Sequence, residues 1–347
     1  MPGPYTWDDL RRDQALPLPQ LERYDLAGQT AIVTGANTGI GYEIAKYLMA
    51  NGAEKVIIAC RNEKKGAHAV KTLTQETGRA EGVAEVWLLD LASFASVRSF
   101  AQRFVESGLP LHILVNNAAI NNIPKTMTED GFDIVVQVDH LAPLLLSILL
   151  FPILERTSAK DKNRPSRCIW VSTEAAAFEP YVDSKDGRPV RELSTRPYDL
   201  DHAKLFLQYQ QTKLSAIMTA CEYARRIPSS ANVVSALAVP GLVATELGQK
   251  TVEGEICRSF DFGASANMKT RTREEGARTI LLPATYPVEK VWGDKRRDVP
   301  LFISMKAVDS LKDFAEDAAN EQLRKVVWDD SISLLGLKSE DVNGCFL

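Results

Sequence analysis

The sequence predicts an α/β fold: one doubly wound parallel sheet with helices on both faces. Three features predict it. Short β-rich runs that are apolar on both faces recur along the chain, and segments of helical spacing separate most of them. A glycine-rich loop joins the first such run to the first helix. Strands that show no polar face must be covered on both sides, which a parallel sheet with crossover helices achieves.

The elements follow in order. TAIVT (30–34) is the first strand and ends on the glycine loop. IGYEIAKYLMANGA (40–53) has helical spacing and stops at Asn51-Gly52, a helix C-cap signal. VIIA (56–59) is a second buried strand, followed by a charged helical stretch from Glu63 to about Thr77. VWLLD (86–90), HILVN (112–116), CIWVS (168–172) and NVVSALAVP (232–240) supply the third to sixth strands. Residues 1–27 carry four prolines and little periodicity, and read as an extended arm. After about residue 290 the pattern weakens, and 306–333 is helix-rich. The expected organisation is an N-terminal extension (1–27), a catalytic domain (28–290) and a C-terminal helical appendage (291–347).

Composition narrows the function. Apolar residues make up 45% of the 347, enough for a large core, and 41 basic against 45 acidic side chains leave a formal charge of −4. That balance carries no electrostatic footprint for nucleic acid. The cysteines Cys60, Cys168, Cys221, Cys257 and Cys345 are scattered with no C-x-x-C, as expected of reduced thiols in a cytoplasmic protein. The N-terminal stretch is polar and Pro-rich, unlike a signal peptide. The longest apolar stretch, 141–154, falls short of the roughly 20 residues that a bilayer span needs. It is expected as a buried or interface helix, with a shallow membrane contact as the competing reading. His68, His112, His140 and His202 show no metal spacing.

TGANTGIG (34–41) is built to receive a pyrophosphate. Gly35 permits the turn, Gly39 lets backbone approach the phosphates, and Gly41 lets helix and strand pack closely; Asn37, Thr38 and Ile40 complete the cradle. The phosphates then face a helix N-terminus, where free N–H groups and the helix dipole favour anions. The spacing G-x-x-x-G-x-G differs from the ordinary dinucleotide fingerprint, so the position between strand and helix carries the argument. At the end of the second strand, NAD binders usually place an acid on the ribose 2′-OH. Here IIACRN (57–62) offers no acid and places Arg61 at the tip. A guanidinium matches a 2′-phosphate, which points to NADP(H); the competing reading is a surface arginine.

TGANTGIG, LVNNAA (114–119), Tyr209-Gln-Gln-Thr-Lys213 and PGLVAT (240–245) come in the order and approximate spacing of the short-chain dehydrogenase/reductase family, which the chain resembles over roughly residues 28–285. In detail it is similar to the retinol-dehydrogenase-like branch and its filamentous-fungal relatives, on ACRNEKKG, EVWLLDLASFASVRSF and TREEGARTILLP. The resemblance implies a Rossmann-type domain and an oxidoreductase acting on CH–OH groups. It implies that Asp90 and Leu91 meet the adenine, that Asn116, Asn117 and Ala118 line the cofactor, and that Val243 and Thr245 hold the carboxamide and a phosphate. It also implies that Tyr209 is the acid/base and that Lys213 lowers its pKa and holds the ribose. Residues i and i+4 share one helix face, which suits that pairing. An ammonium beside a phenol lowers a pKa that is ordinarily about 10. Family members often pair into homodimers or homotetramers through the helix carrying Tyr209.

Two positions depart from the family. Its catalytic serine falls on Thr173, since the run is Val171-Ser172-Thr173; the hydroxyl that polarises the carbonyl is kept. Ser172 could replace it only if the strand slipped by one residue. Asp139 replaces an asparagine whose main-chain carbonyl binds a relay water in the family, a role that any side chain allows. An ionised carboxylate at roughly 5 Å from Lys213 would be worth on the order of 3 kcal/mol at an effective dielectric of about 20, and would raise the Tyr209 pKa. Three outcomes stay open: an ordinary reductase, a fold repurposed for a non-redox isomerisation or cyclisation, and a catalytically silent NADP(H)-binding protein. The long segments 179–206 and 247–269 are expected as lids over a bulky substrate, a ketone or secondary alcohol on a lipid-like or natural-product-like molecule.

Overall fold

Strand β1 (Thr30–Thr34) is buried at every position, as its unbroken apolar and β-branched composition requires. In the computed structural model of the chain, all residues are described except 1–3, 122–123, 182–183, 185, 198–201, 248, 253–254, 259–267, 293–298, 338–345 and 347. Helix α1 (Trp7–Ala15) precedes β1, and α2 (Gly39–Ala50) follows the glycine loop. Then come β2 (Lys55–Cys60), α3 (Glu63–Thr77), β3 (Ala84–Leu88), α4 (Phe94–Glu106) and β4 (Ile113–Asn116). A short helix α5 (Ile134–Val136) runs through a π-helical turn at Gln137–Leu141 into α6 (Ala142–Ser158). Strand β5 (Ser166–Val171), α7 (Pro189–Thr195), α8 (His202–Arg226) and β6 (Val233–Val239) complete the part that carries the motifs.

The main sheet has eight strands in the order β10-β9-β6-β5-β4-β1-β2-β3, where β9 is Leu301–Ile303 and β10 is Lys306–Val308; β7 (Gln249–Val252) and β8 (Glu255–Arg258) pair antiparallel in a separate two-stranded sheet. All pairings in the main sheet are parallel except β9 with β10. The expected doubly wound parallel sheet is therefore present. The chain reverses direction across the sheet between β1 and β4, the place where open α/β sheets bind ligands outside their carboxyl ends. Side chains alternate between faces: Ile32 joins the core packed by α4, α6 and α8, while Ala31 and Val33 join the core packed by α2 and the helix Arg273–Thr285.

Several expectations need correction. The first residues are not an extended arm: Trp7–Ala15 is a helix, started by a reciprocal capping box between Thr6 and Asp9 and laid on the domain through Leu10 and Gln14. The third strand begins at Ala84, two residues earlier than expected. The stretch 291–347 is not simply a helical appendage, because β9 pairs with β6 and β10 with β9 inside the main sheet. Beyond them the helix Glu321–Leu335 packs on α8 and α7, with Trp328 buried and Phe346 stacked on Tyr223.

The apolar run at 141–154 spans the last residue of the π-helical turn and most of α6, buried at most positions because it faces the sheet, α4 and α8 at once. Ile134–Ser158 is one continuous helix long and apolar enough to cross a membrane, yet 89% of its most apolar window is covered by the rest of the protein. That is the signature of a core helix.

Candidate active site

The parallel strands deliver their carboxyl ends to one edge, and each is followed by a motif. Thr34 leads into the glycine loop, Cys60 into Arg61, Leu88 towards Asp90 and Leu91, Asn116 into Asn117 and Ala118, Val171 into Ser172 and Thr173, and Val239 into Pro240-Gly241. The loops between them are fastened to each other. The Thr34 hydroxyl accepts from the N–H groups of Asn117 and Ala118, at 2.9 Å each, and the Asn117 amide donates to the Thr34 carbonyl at 2.8 Å.

Gly35 and Gly39 have φ of +66° and +64°, the left-handed region that favours glycine. At Gly41 the reason is space: a Cβ there would lie 2.5 Å from Asn117 Nδ2 and 2.7 Å from the Gly35 carbonyl oxygen. Thr38 precedes α2 in extended conformation, makes no side-chain cap, and no acid lies in the first turn. The N–H groups of that turn keep their capacity for an anion. This is what a dinucleotide pyrophosphate requires, so the residues present fit a nicotinamide cofactor.

Opposite the glycine loop stands the segment after β6. A Cβ on Gly39 would be 3.8 Å from Thr245, and one on Gly276 would be 2.6 Å from Val243 and 3.5 Å from Ile40. Gly39, Ile40, Val243 and Thr245 thus close on one another, as two sides of one groove. Arg61 is exposed at the end of β2, beside Asn62, which caps α3. Asp90 turns its carboxylate to the N–H of Ala92 at 2.9 Å, and Leu91 is buried. The Asn116 amide donates to Ser147 on α6 at 2.8 Å.

The catalytic candidates converge on α8. Tyr209 and Lys213 are 6% and 4% exposed, and the Lys213 Nζ lies 5.8 Å from the Tyr209 ring centre. Thr173 follows β5 and its hydroxyl is hydrogen-bonded to Tyr209, while also accepting from the N–H of Ala175. The register has not slipped: Thr173 meets Tyr209, and Ser172 faces a small cavity shared with Asn116, Asp139 and Lys213. Asp139 sits on the π-helical turn, where the extra residue per turn carries its carboxylate inward. One oxygen accepts from the Ile120 N–H at 2.8 Å; the other lies 3.3 Å from Lys213 Nζ.

This arrangement reverses an expected pKa direction. Burial, followed by the charges of Asp139 and Glu174, pushes the Tyr209 phenol above its ordinary value, and the Thr173 hydrogen bond only partly opposes them. The push from Asp139 is the one expected of an ionised carboxylate there, and the Lys213 ammonium expected to lower the value lies 3.3 Å from that carboxylate.

Sequence reasoning missed Glu174, the residue after Thr173. It is 3% exposed, its Oε1 has no hydrogen-bond partner, and burial pushes its carboxyl up to about 7. It also missed the glutamines around Tyr209: Gln208 donates to the Leu193 carbonyl, Gln210 to that of Ala175 and Gln211 to that of Pro180. Their only sequence signal is their position inside the Tyr-Gln-Gln-Thr-Lys motif for Gln210 and Gln211, and directly before it for Gln208. The expected lids lie partly outside the described residues, including most of 247–269, Tyr198 and the His202 side chain. Within the described part, α7 is held to the C-terminal helix by Asp330, which accepts from the N–H groups of Val190 and Arg191 at 2.8 and 2.9 Å. Among the described residues no cluster of metal-ligating side chains occurs.

Comparison with known proteins agrees with this geometry. A model of the short chain dehydrogenase family matches residues 29–184. Human retinol dehydrogenase 13 is 34% identical over 321 residues, covering 91% of this chain and 87% of that protein. Zebrafish (Danio rerio) polyprenol dehydrogenase is 32% identical, covering 92% and 90%. The chain spans 61% of the length of the zebrafish WW domain-containing oxidoreductase, to which it is 35% identical over 77% of its own residues. An uncharacterized protein from Mycobacterium Paratuberculosis shares the fold, with a TM-score of 0.65, 23% identity and coverage of 91% of this chain and 97% of that one. The chain belongs to the short chain dehydrogenase family, with retinol dehydrogenase-like relatives.

Proposed function

We propose that this protein is an NADP(H)-dependent oxidoreductase that interconverts a ketone and a secondary alcohol on a bulky, lipid-like or natural-product-like small molecule. The observation that carries the reading is the meeting of buried Tyr209 and Lys213 with half-buried Thr173 beside a groove suited to a dinucleotide. The cofactor, when bound, supplies or accepts the hydride. Tyr209 gives its proton to the carbonyl oxygen in reduction and takes it back in oxidation. Thr173 holds the Tyr209 hydroxyl and polarises the carbonyl. Lys213 lies one helical turn beyond Tyr209, where it can reach ribose hydroxyls.

The electrostatics favour ketone reduction, since the raised Tyr209 pKa keeps the phenol protonated, the form that reduction consumes. Arg61 and the lack of an acid at the end of β2 support NADP(H) over NAD(H). The names of the relatives, retinol and polyprenol dehydrogenases, support an apolar alcohol or carbonyl substrate.

The test is oxidation of NADPH, followed at the absorbance band of the reduced nicotinamide, with a panel of bulky apolar ketones and the corresponding alcohols in reverse. Turnover is expected with NADPH at a lower KM than NADH, and Tyr209→Phe should lower kcat by at least ~100-fold while NADPH still binds. Undiminished activity in that variant removes Tyr209 from the reaction.

A further inference from the structure

We propose that the N-terminal helix α1 is part of the cofactor site: Gln14 and Arg271 are positioning residues that set the segment 240–244 at the height which the nicotinamide end needs. The inference rests on the nicotinamide reading above, because Val243 of this segment and Thr245 directly after it would face the carboxamide.

The segment after β6 has little internal structure to hold it. Gly241 has φ of +84°, and in the direction of its missing side chain lie the Arg271 guanidinium and, at 2.7 Å, Gln14 Oε1. Any larger residue would push both away. The next residue, Leu242, is clamped on both its backbone groups by one side chain. The Gln14 amide nitrogen donates to the Leu242 carbonyl at 2.7 Å, and the Gln14 amide oxygen accepts from the Leu242 N–H at 3.1 Å. A primary amide offers a donor and an acceptor side by side, so it imitates the edge of a neighbouring strand.

Arg271 completes the clamp. Its guanidinium donates to the carbonyls of Pro240 and Asp13 at 2.9 and 2.8 Å and to the Ser304 hydroxyl at 2.8 Å. Its backbone pairs with the same segment, with Arg271 N–H to Leu242 carbonyl at 2.8 Å and Ala244 N–H to Arg271 carbonyl at 3.0 Å. Gln14 and Arg271 are each 3% exposed, on a helix that is otherwise mostly open to solvent in the first case. A buried polar side chain satisfied mainly by distant backbone groups fixes that backbone in one register.

The helix itself is pinned at its other end by aromatic stacking. Trp7 lies 4.0 Å from Phe178, centre to centre, and Tyr5 rests on Phe178 and Phe314. Phe178 closes the turn that begins at Thr173 and Glu174. The helix α1 therefore bridges the two loops that flank the reacting centre, one after β5 and one after β6.

Binding decides the matter without knowledge of the substrate. Affinities of the purified full chain would be measured for NADPH and for 2′-phospho-ADP-ribose, which is the same molecule without nicotinamide, by calorimetry. Loss of two hydrogen bonds on Leu242 should weaken NADPH binding by about tenfold in Gln14→Ala and leave 2′-phospho-ADP-ribose within about twofold. Gln14→Met, which keeps the bulk that packs α1 against the domain, should show the same split and guards against simple undocking. Unchanged NADPH affinity in both variants, or an equal loss for both ligands, overturns the proposal. If the unaltered chain binds 2′-phospho-ADP-ribose but gains nothing from the nicotinamide, the proposal fails while the phosphate groove stands; if it binds neither, the cofactor reading fails and the proposal with it.

Discussion

Asp139 uses its two carboxylate oxygens for two separate tasks. One holds the Ile120 N–H, and with it the chain just past Asn116-Asn117; the other faces Lys213. An asparagine could keep the first and not the second. In Asp139→Asn the buried Lys213 ammonium loses its counter-charge, and removing one partner of a buried pair is costly, so stability should fall by about 3 kcal/mol. The Tyr209 pKa should fall as well, because an anion that raises it is gone and the field of Lys213 is no longer cancelled. Alcohol oxidation needs the phenolate, so its rise with pH should move to lower pH by about one unit or more. Ketone reduction needs the phenol, so its alkaline decline should also move to lower pH. Urea unfolding and the two pH–rate profiles measure this. Profiles that do not move would mean that Asp139 carries a proton in the parent protein and acts as an amide does.

At the scale of elements, legibility tracks how local the stabilising contacts are. Strands β1, β2, β4, β5 and β6 are readable because each carries its own largely apolar run, covered on both faces. Strand β9 has three residues and exists through its pairing with β6, while α1 exists through contacts with residues more than two hundred positions away. No periodicity in nine residues announces either. The same divide runs through the site. Gly35, Tyr209 and Lys213 sit in contiguous motifs, whereas Gln14, Glu174 and Arg271 acquire their roles only when the chain folds. The π-helical turn lies between these cases: VQVDHL has helical composition, and nothing in it marks the extra residue.

Element packing also makes a prediction. Helix α3 lies on β2 and β3 at Gly66, where a Cβ would be 2.6 Å from Val86 Cγ1 and 2.8 Å from Cys60 Sγ. Alanine is the better helix former by ~1 kcal/mol. The overlap is with two side chains rooted in the sheet, and forcing a helix away from its sheet costs ~1–3 kcal/mol. Gly66→Ala should therefore be net destabilising by about 1 kcal/mol in denaturant unfolding. A variant as stable as the parent would show that Val86 can turn aside.

For the molecule as a whole, two buried groups in the catalytic region set opposite slopes of stability with pH. Burial raises the Glu174 carboxyl from 4.5 to about 7, with Arg271 pulling it down and Asp13 pushing it up. Burial lowers the His140 imidazole, which is hydrogen-bonded to Ser331 of the C-terminal helix, from 6.5 to about 3. A raised acid holds its proton in the folded state after the unfolded chain has lost it. Its contribution is complete below about pH 4.5 and disappears as pH rises through about 7. A depressed base behaves in reverse: its contribution is complete above pH 6.5 and lost as pH falls towards about 3. Where the windows overlap, from about 4.5 to 6.5, the two slopes of roughly 1.4 kcal/mol per pH unit cancel. Glu174→Gln removes one of them. The variant and the parent should be equally stable near pH 4, and the variant should gain steadily above that, reaching roughly 3 kcal/mol by pH 8. Urea unfolding of both proteins from pH 4 to 8 gives the difference directly, free of every other titrating group that they share. Parallel curves across that range would mean that the Glu174 carboxyl titrates alike in the folded and unfolded chains. A gap that opens with pH would show that the protein accepts a standing cost near neutrality to keep an acid beside Tyr209.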